Sequence, residues 1–323
     1  MSILDQPLVA AVCGVFLLIA GGQLVVREAA TLAARLGISS LAIGVVVIGF
    51  GTSAPELATG VRAALADAPA LAFGNAIGSS LANLLIVLPL AALLLPVEVP
   101  RSAIRAEVAA VLAAATLFSI LAFVPGMARP GAFIMLVFLG GWLAFSLVRQ
   151  ASGRAPAAET GLQQREGESL VLSAQPWWRA LALLLVGIVA LVAGADLLVS
   201  AATRFALRMG IGEDVLGLTL LSFGTCMPEL ATAIIAARRR QTDIVVGSVL
   251  GSCLFNLLAV AGTAQAISGV GPTGLARQYD VPMLMLATMV VTVPLYIRQK
   301  LDRPTAVLLL AIYGLWLAAR LTG

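Results

Sequence analysis

The amino-acid sequence predicts an all-α polytopic membrane protein with ten transmembrane helices. We expect these helices to form two inverted five-helix repeats that are broken at a buried polar site. Three observations lead to this prediction. The 323 residues are 60% hydrophobic and only 11% charged, whereas a soluble domain carries about 25% charged residues. One polar motif occurs in both halves of the chain, and basic residues are distributed unequally between alternate connections.

Apolar segments of roughly 20 residues, the length needed to cross a bilayer as a helix, recur ten times along the chain. In the first half the predicted spans are 7–26, 40–63, 70–95, 104–124 and 131–149. In the second half they are 179–200, 213–237, 244–268, 281–297 and 304–320. The polar segment 150–178 is predicted to be a cytoplasmic linker between the halves.

The two halves are an internal duplication with a constant offset of 173 residues. No gap is needed between Gly37 and Val87, and a shared apolar composition would not preserve such a register. The matched pairs are Gly37 and Gly210, Gly51 and Gly224, Pro55 and Pro228, Glu56 and Glu229, Gly74 and Gly247, Ser79 and Ser252, and Asn83 and Asn256. We therefore assign residues 1–149 to a first repeat, with its motif at about 44–87, and residues 179–323 to a second, with its motif at about 217–260.

The basic residues predict how the chain is oriented. Of the 20 lysines and arginines, fourteen lie in the connections that follow spans 1, 3, 5, 7 and 9, and six lie on the opposite side. Because basic residues concentrate on the cytoplasmic side, both termini are predicted to lie outside. Five spans per half is an odd number, so the second half enters the membrane upside down. Inverted repeats are typical of transporters whose site lies at the midplane.

Two carboxylates define the predicted site. Glu56 and Glu229 lie deep in predicted spans, where a carboxylate costs roughly 2.5–3.5 kcal/mol on insertion scales. No lysine or arginine lies deep enough in a predicted span to pair with either glutamate. If the duplication brings them together, their charge of −2 would be neutralised by one divalent cation.

The residues around the glutamates are rich in oxygen atoms. Pro55 cannot donate a hydrogen bond to the carbonyl of Gly51, and Pro228 likewise frees the carbonyl of Gly224. Thr52, Ser53 and Thr225 add hydroxyls near these freed carbonyls. On the next helix of each half, polar residues spaced by four share one face: they are Asn75, Ser79 and Asn83 in the first half, and Ser248, Ser252 and Asn256 in the second. Oxygen ligands of these kinds suit calcium or sodium rather than zinc or copper.

Other features are interpreted as structural. The Gly74 and Gly78 pair and the Gly247 and Gly251 pair have the G-x-x-x-G spacing that lets helices approach closely. Cys226 and Cys253 stand where the first half has Ser53 and Ser80, and they are interpreted as small fillers because thiols are poor ligands for hard cations. No disulfide is expected among the three cysteines.

The two motifs resemble the paired α-repeats of the calcium/cation antiporter superfamily, and most of all those of prokaryotic sodium/calcium exchangers. The resemblance rests on Gly51 to Glu56 with Gly78 to Asn83, and on Gly224 to Glu229 with Gly251 to Asn256. It implies a secondary active antiporter that exchanges sodium for calcium by alternating access, without a cofactor. It also implies ion-site roles for nine residues: Glu56, Glu229, Thr52, Thr225, Ser53, Ser79, Ser252, Asn83 and Asn256. Spans 1 and 6 would be the sliding helices that switch access.

The sequence departs from the family pattern at two positions. Many sodium/calcium exchangers have an aspartate at the position of Asn256, and Cys226 replaces a usual serine. Both changes remove charge or oxygen from the sodium sites. The stoichiometry is therefore left open, as are potassium dependence and selectivity among divalent cations, and a calcium/proton antiporter is the alternative function.

Two other classes of protein could use buried carboxylates. An intramembrane enzyme could use two carboxylates for acid–base chemistry, but the chain has no histidine and lacks the Gly-x-Gly-Asp stretch of intramembrane aspartyl proteases. A passive cation channel is distinguished from an antiporter by one-way current rather than counterflow. We expect a multi-pass protein of the bacterial inner membrane, with calcium, sodium and the lipid bilayer as partners. Neither nucleic acid nor an obligate protein partner is expected.

Overall fold

The computed structural model describes residues 7–151, 176–208 and 222–322, whose regular secondary structure is helical apart from one pair of two-residue strands. The first half contains α1 (Pro7–Leu36), α2 (Ser40–Thr52), α3 (Ala54–Leu65), α4 (Pro69–Leu94), α5 (Arg101–Phe123) and α6 (Ala128–Ala151). The second half contains α7 (Trp177–Arg208), α8 (Ser222–Thr225), α9 (Met227–Arg238), α10 (Thr242–Ser268), α11 (Ala276–Arg298) and α12 (Arg303–Thr322). Strands β1 (Val97–Glu98) and β2 (Lys300–Leu301) pair antiparallel.

The prediction of an all-α membrane protein is confirmed. Within the described residues, seven helices are long and apolar enough to cross a membrane, and the bent pair of α2 and α3 would make an eighth span. Large apolar side chains face outward, such as Phe133 at 70% exposed and Leu315 at 73% exposed. The predicted span 213–237 begins in residues 209–221, and most of the predicted linker 150–178 also lies outside the described residues.

Helices α4 and α10 form the centre of the protein. Their apolar stretches are 78% and 100% buried, compared with 22% for α6 and 33% for α7. Each has fourteen α-helical residues, Pro69–Ala82 or Thr242–Phe255, followed by a wider π-helical turn, Asn83–Val87 or Asn256–Val260. These bounds differ by the same 173 residues as the motifs. The duplicated sequence therefore forms the same local structure twice.

Helices α1 and α7 pack against each other through glycines. A Cβ atom on Gly14 would lie 2.8 Å from the carbonyl oxygen of Gly194, and one on Gly21 would lie 2.7 Å from that of Gly187. Close backbone contact of this kind requires small residues at the crossing. The contact positions rise along α1 while they fall along α7, so these two equivalent helices run antiparallel.

A second close contact joins the halves between α2 and α10. A Cβ atom on Gly247 would lie 3.1 Å from the Cα of Gly44, and one on Gly49 would lie 2.9 Å from the Cα of Gly251. The packing role predicted for Gly247 and Gly251 is therefore confirmed. The segment that would match α2 in the second half falls in the undescribed residues 209–221, so the structure does not test the first glycine pair in the same way.

The helix containing the first motif is broken where the sequence predicts a break. Helices α2 and α3 meet at Ser53 with a bend of 42°. Pro55 occupies the first turn of α3, where its missing N–H group is tolerated. In the second half a turn at Cys226 separates α8 from α9, and Pro228 again lies in the first turn. Each break places the start of a new helix inside the protein.

Buried ion pairs are a feature that the sequence analysis did not identify. Glu107 is 3% exposed and pairs with Arg149 at 3.4 Å, and Asp280 is 7% exposed and pairs with Arg320 at 2.9 Å. Glu107 and Asp280 are also 173 residues apart, so the duplication extends into the fourth predicted span of each half. Glu28, 1% exposed, lies 3.5 Å from the guanidinium of Arg27.

We expect Gly21→Ala to destabilise the protein by about 1–3 kcal/mol, the usual cost of overpacking. The added methyl group would lie 2.7 Å from the backbone oxygen of Gly187 on the facing helix. Gly140→Ala is the matched control, because Gly140 has no neighbour within 4 Å of an added Cβ atom. Thermal unfolding in detergent should show a lower midpoint for Gly21→Ala alone, and equal midpoints for the two variants would contradict the packing.

We also expect Asp280→Asn to cost about 1–3 kcal/mol, because it removes the charged partner of Arg320. Glu98→Gln is the comparison: Glu98 and Lys300 are 2.9 Å apart but are 64% and 45% exposed, so that pair should contribute less than about 1 kcal/mol. A double-mutant cycle with Arg320→Gln, followed by thermal unfolding, measures the coupling. A coupling of zero would show that the buried pair does not contribute to stability.

Candidate cation site

The two glutamates lie at equivalent places in the fold. Glu56 is in the first turn of α3 and Glu229 in the first turn of α9, each just after a helix break. Their exposed fractions are 0% and 1%. The start of a helix carries a partial positive charge, which favours a carboxylate there. The breaks therefore place both acidic groups at helix N-termini inside the protein.

Hydroxyl groups from both halves converge on Glu229. Its Oε1 atom accepts a hydrogen bond from Ser53 Oγ at 3.4 Å and another from Ser252 Oγ at 3.3 Å. Ser53 belongs to the break in the first half, 176 residues away from Glu229 in sequence. These three residues, which the motifs assign to one site, are in contact in the structure.

Two pairs of hydroxyl groups connect the halves in a symmetric way. Thr52 Oγ1 and Ser252 Oγ are 3.4 Å apart, and Ser79 Oγ and Thr225 Oγ1 are 3.3 Å apart. Each pair is the 173-residue equivalent of the other. A threonine from the broken helix of one half thus meets a serine from the central helix of the other half, and neither half holds a complete set of these groups alone.

The two asparagines mark the ends of the central α-helical segments. Asn83 and Asn256 each begin a π-helical turn, an irregularity that is frequent at functional sites. Both are 0% exposed. The other polar residues of this face have local roles, since Asn75 donates to the backbone oxygen of Glu56 at 3.1 Å and Ser248 donates to that of Val245 at 3.1 Å.

Several buried polar atoms of this region lack partners. The described residues contain thirteen buried side-chain atoms without a hydrogen bond, and seven of them lie here: both carboxylate oxygens of Glu56, Oε2 of Glu229, and the side-chain oxygen and nitrogen of Asn83 and Asn256. Buried polar groups are normally paired, so each exception calls for an explanation. The other well-buried acids, Glu28, Glu107 and Asp280, are each close to an arginine. The described residues provide no such cation for Glu56 or Glu229.

This arrangement can hold a hard cation. Buried carboxylates and hydroxyls from the two breaks and the two central helices lie together, and the buried amides of Asn83 and Asn256 belong to the same central helices. Oxygen ligands of these types bind calcium and similar ions. The described part of the chain contains no cluster of three or more His, Cys, Asp or Glu residues that could hold a metal ion. The donor atoms of the candidate site are mostly neutral oxygens around two acids, which differ from the ligands of a typical zinc site. Broken helices around a buried polar centre define a membrane transporter for cations.

Comparison with known proteins identifies the family. The model of the sodium/calcium exchanger protein family matches residues 7–148 and 179–322, nearly the whole chain. The chain belongs to this family, within the calcium/cation antiporter superfamily, as its motifs predict. It is therefore a membrane antiporter and not an enzyme.

Two curated relatives and one solved structure show the extent of the similarity. The chain is 32% identical to the putative antiporter CaxA of Alkalimonas amylolytica, covering 85% of each chain. It is 31% identical to the inner membrane protein YrbG of Escherichia coli, covering 85% of this chain and 84% of the relative. A structure of the sodium-calcium exchanger NCX_Mj, soaked with sodium, superposes with a TM-score of 0.82 at 25% identity, covering 98% of this chain and 99% of the other.

Proposed function

We propose that this protein exchanges sodium for calcium across the membrane by alternating access, with the ions bound between Glu56 and Glu229. The observation that carries the proposal is the set of seven buried, unpartnered atoms on these glutamates and on Asn83 and Asn256. An unpaired buried charge costs several kcal/mol, and a bound cation would remove this cost. Thr52, Thr225, Ser53, Ser79 and Ser252 would supply the remaining oxygens.

The family and the relatives support the choice of ions. The family is that of sodium/calcium exchangers, and the similar solved structure is of a sodium-calcium exchanger. Oxygen donors of low charge also suit sodium, so the same site can release one ion and accept the other. The exchange itself requires no cofactor, since the ion gradients supply the energy.

We propose further that the chain forms ten spans in two inverted repeats, residues 1–149 and 179–323, joined by the linker 150–178. The antiparallel packing of α1 and α7 supports the inversion, because these helices hold equivalent places in the two halves. The identical offsets of the central helices support the duplication.

Contacts between connections support the proposed topology. Connections predicted to be cytoplasmic contact one another: Ser39 bonds to Gln150, and Thr242 donates to the backbone oxygen of Glu98, whose side chain pairs with Lys300. The predicted external ends of spans and the connections beside them also contact one another, since Gln265 donates to the backbone oxygen of Met127 and Arg277 donates to that of Phe123. With most basic residues in the first group, both termini would lie outside the cytoplasm, in the bacterial inner membrane.

Alternating access would use α1 and α7 as a sliding pair. The two helices have extensive contact with each other and are largely exposed to the surroundings, with 39% and 33% of their apolar stretches buried. Their crossing is lined by glycine backbone, which leaves a smooth surface.

The second candidate function, calcium/proton exchange, is favoured by Asn256, because an amide contributes no charge to offset additional sodium ions.

The central test is radioactive calcium uptake into proteoliposomes loaded with sodium and diluted into sodium-free buffer. We expect uptake by the wild type and a fall of about 100-fold or more for Glu56→Gln and Glu229→Gln, because each removes one charge from the cation's ligands. Glu98→Gln is the matched control, because this carboxylate is exposed and far from the breaks. Uptake driven by a pH gradient and indifferent to sodium would select the proton exchanger instead. Calcium flux without counterflow of any ion would indicate a channel.

A second test separates site hydroxyls from structural ones. Ser53→Ala removes one of the two hydroxyl donors to Glu229, and we expect about a tenfold weaker apparent affinity for calcium, equivalent to about 1.4 kcal/mol. Ser80→Ala is the control, since the hydroxyl of Ser80 donates to Ala76 of its own helix at 2.8 Å. The measurement is the calcium concentration that gives half of the maximal rise in the thermal unfolding midpoint of the purified protein. Equal effects of both substitutions would remove Ser53 from the site.

A further inference from the structure

The two halves of the site differ chemically at one position that the proposed exchange does not use. Ser53 donates from its hydroxyl to Glu229 at 3.4 Å. Its 173-residue equivalent is Cys226, and the equivalent of Glu229 is Glu56. Neither carboxylate oxygen of Glu56 has a hydrogen-bond partner, and the residue is 0% exposed. A thiol thus replaces a hydroxyl in the half whose carboxylate is left without partners.

The sulfur of Cys226 lies among the oxygen atoms of the site. It is 3.9 Å from the backbone oxygen of Ser79, and the hydroxyl of Ser79 is 3.3 Å from that of Thr225. Cys226 immediately precedes α9, so it lies one helical turn before Glu229. It is 5% exposed and lines a small apolar cavity, whose other walls are Ala82, Ile86, Val87 and Leu230.

The other substituted cysteine has a different environment. Cys253 stands in for Ser80, whose hydroxyl bonds only within its own helix. Its sulfur is 3.8 Å from the backbone oxygen of Ser80, and it is 0% exposed, inside the apolar core. Cys253 therefore replaces a hydroxyl that faces helix backbone, and Cys226 replaces one that faces a carboxylate. The chain offers a matched pair of buried thiols, and one of the pair adjoins the site.

We propose that Cys226 makes this site a binding site for a thiophilic divalent cation, for which cadmium is the probe. The sulfur and the carboxylate of Glu56 would be the charged ligands, with oxygens of Ser79 and Thr225 beside them. Thiolate is a soft ligand that favours soft metal ions, and calcium gains little from it. Binding forms a metal–sulfur bond and releases the thiol proton to solvent, since the thiolate is the ligand. The inference rests on the proposed cation site, but it does not depend on whether sodium or protons drive exchange.

The test measures cadmium and calcium binding to the purified protein in detergent, by calorimetry and by ultraviolet absorption. Binding at Cys226 produces a thiolate-to-cadmium charge-transfer band that carboxylates cannot give. We expect cadmium to bind at least about tenfold more tightly than calcium in the wild type, with this band. Cys226→Ser should lose the band and at least about tenfold in cadmium affinity, and it should bind calcium at least as tightly as the wild type, because serine is the residue of the other half and supplies a hard oxygen. Cys253→Ser should behave as the wild type.

Each other outcome has a distinct meaning. Unchanged cadmium affinity and an unchanged band in Cys226→Ser would overturn the inference, and so would loss of both in Cys253→Ser alone. If calcium binding depends on Glu56 but cadmium binding does not depend on Cys226, the inference fails and the proposed calcium site remains. If neither ion binds to wild type that unfolds cooperatively, the proposed cation site fails as well.

Discussion

The structure depends on one electrostatic constraint, which is that buried carboxylates need a positive charge nearby. The protein meets this constraint in two ways. Glu107 and Asp280 are paired with arginines at 3.4 Å and 2.9 Å, which fixes helices to each other. Glu56 and Glu229 have no such partner among the described residues, and their need for charge is what makes them suitable for a mobile cation. A cation that can leave is useful only where no fixed arginine competes with it.

The duplication explains how such a site can be built from ordinary helices. The sequence of each half encodes the same break, the same fourteen-residue helix and the same π-helical turn. Contacts between the halves then complete the site, since Thr52 meets Ser252 and Ser79 meets Thr225. Glycines at the crossings allow these approaches, because any larger side chain would hold the backbones apart. Duplication thus supplies two of each ligand, and packing brings the two sets together.

The side chains of the two halves differ at some equivalent positions of the shared backbone. Cys226, the counterpart of Ser53, changes the softness of the proposed ligand set without changing the helix bounds around it. The wall of the cavity beside Cys226 also differs between halves, with Ala82 where the second half has Phe255. A backbone set by glycines, prolines and packing tolerates such changes because they do not alter its geometry. Selectivity can therefore vary while the architecture is retained.

The sequence by itself determined the membrane class, the duplication, the helix breaks and the residues from which the site is drawn. These follow from hydropathy, spacing and the missing N–H of proline, which act within a few turns of helix. Only the tertiary structure decided that Ser53 and Ser252 both donate to Glu229, that Glu107 and Asp280 are buried beside arginines, and that Cys226 rather than Cys253 adjoins the site. Those facts depend on how helices far apart in the chain are rotated and packed against one another, which the local sequence does not encode.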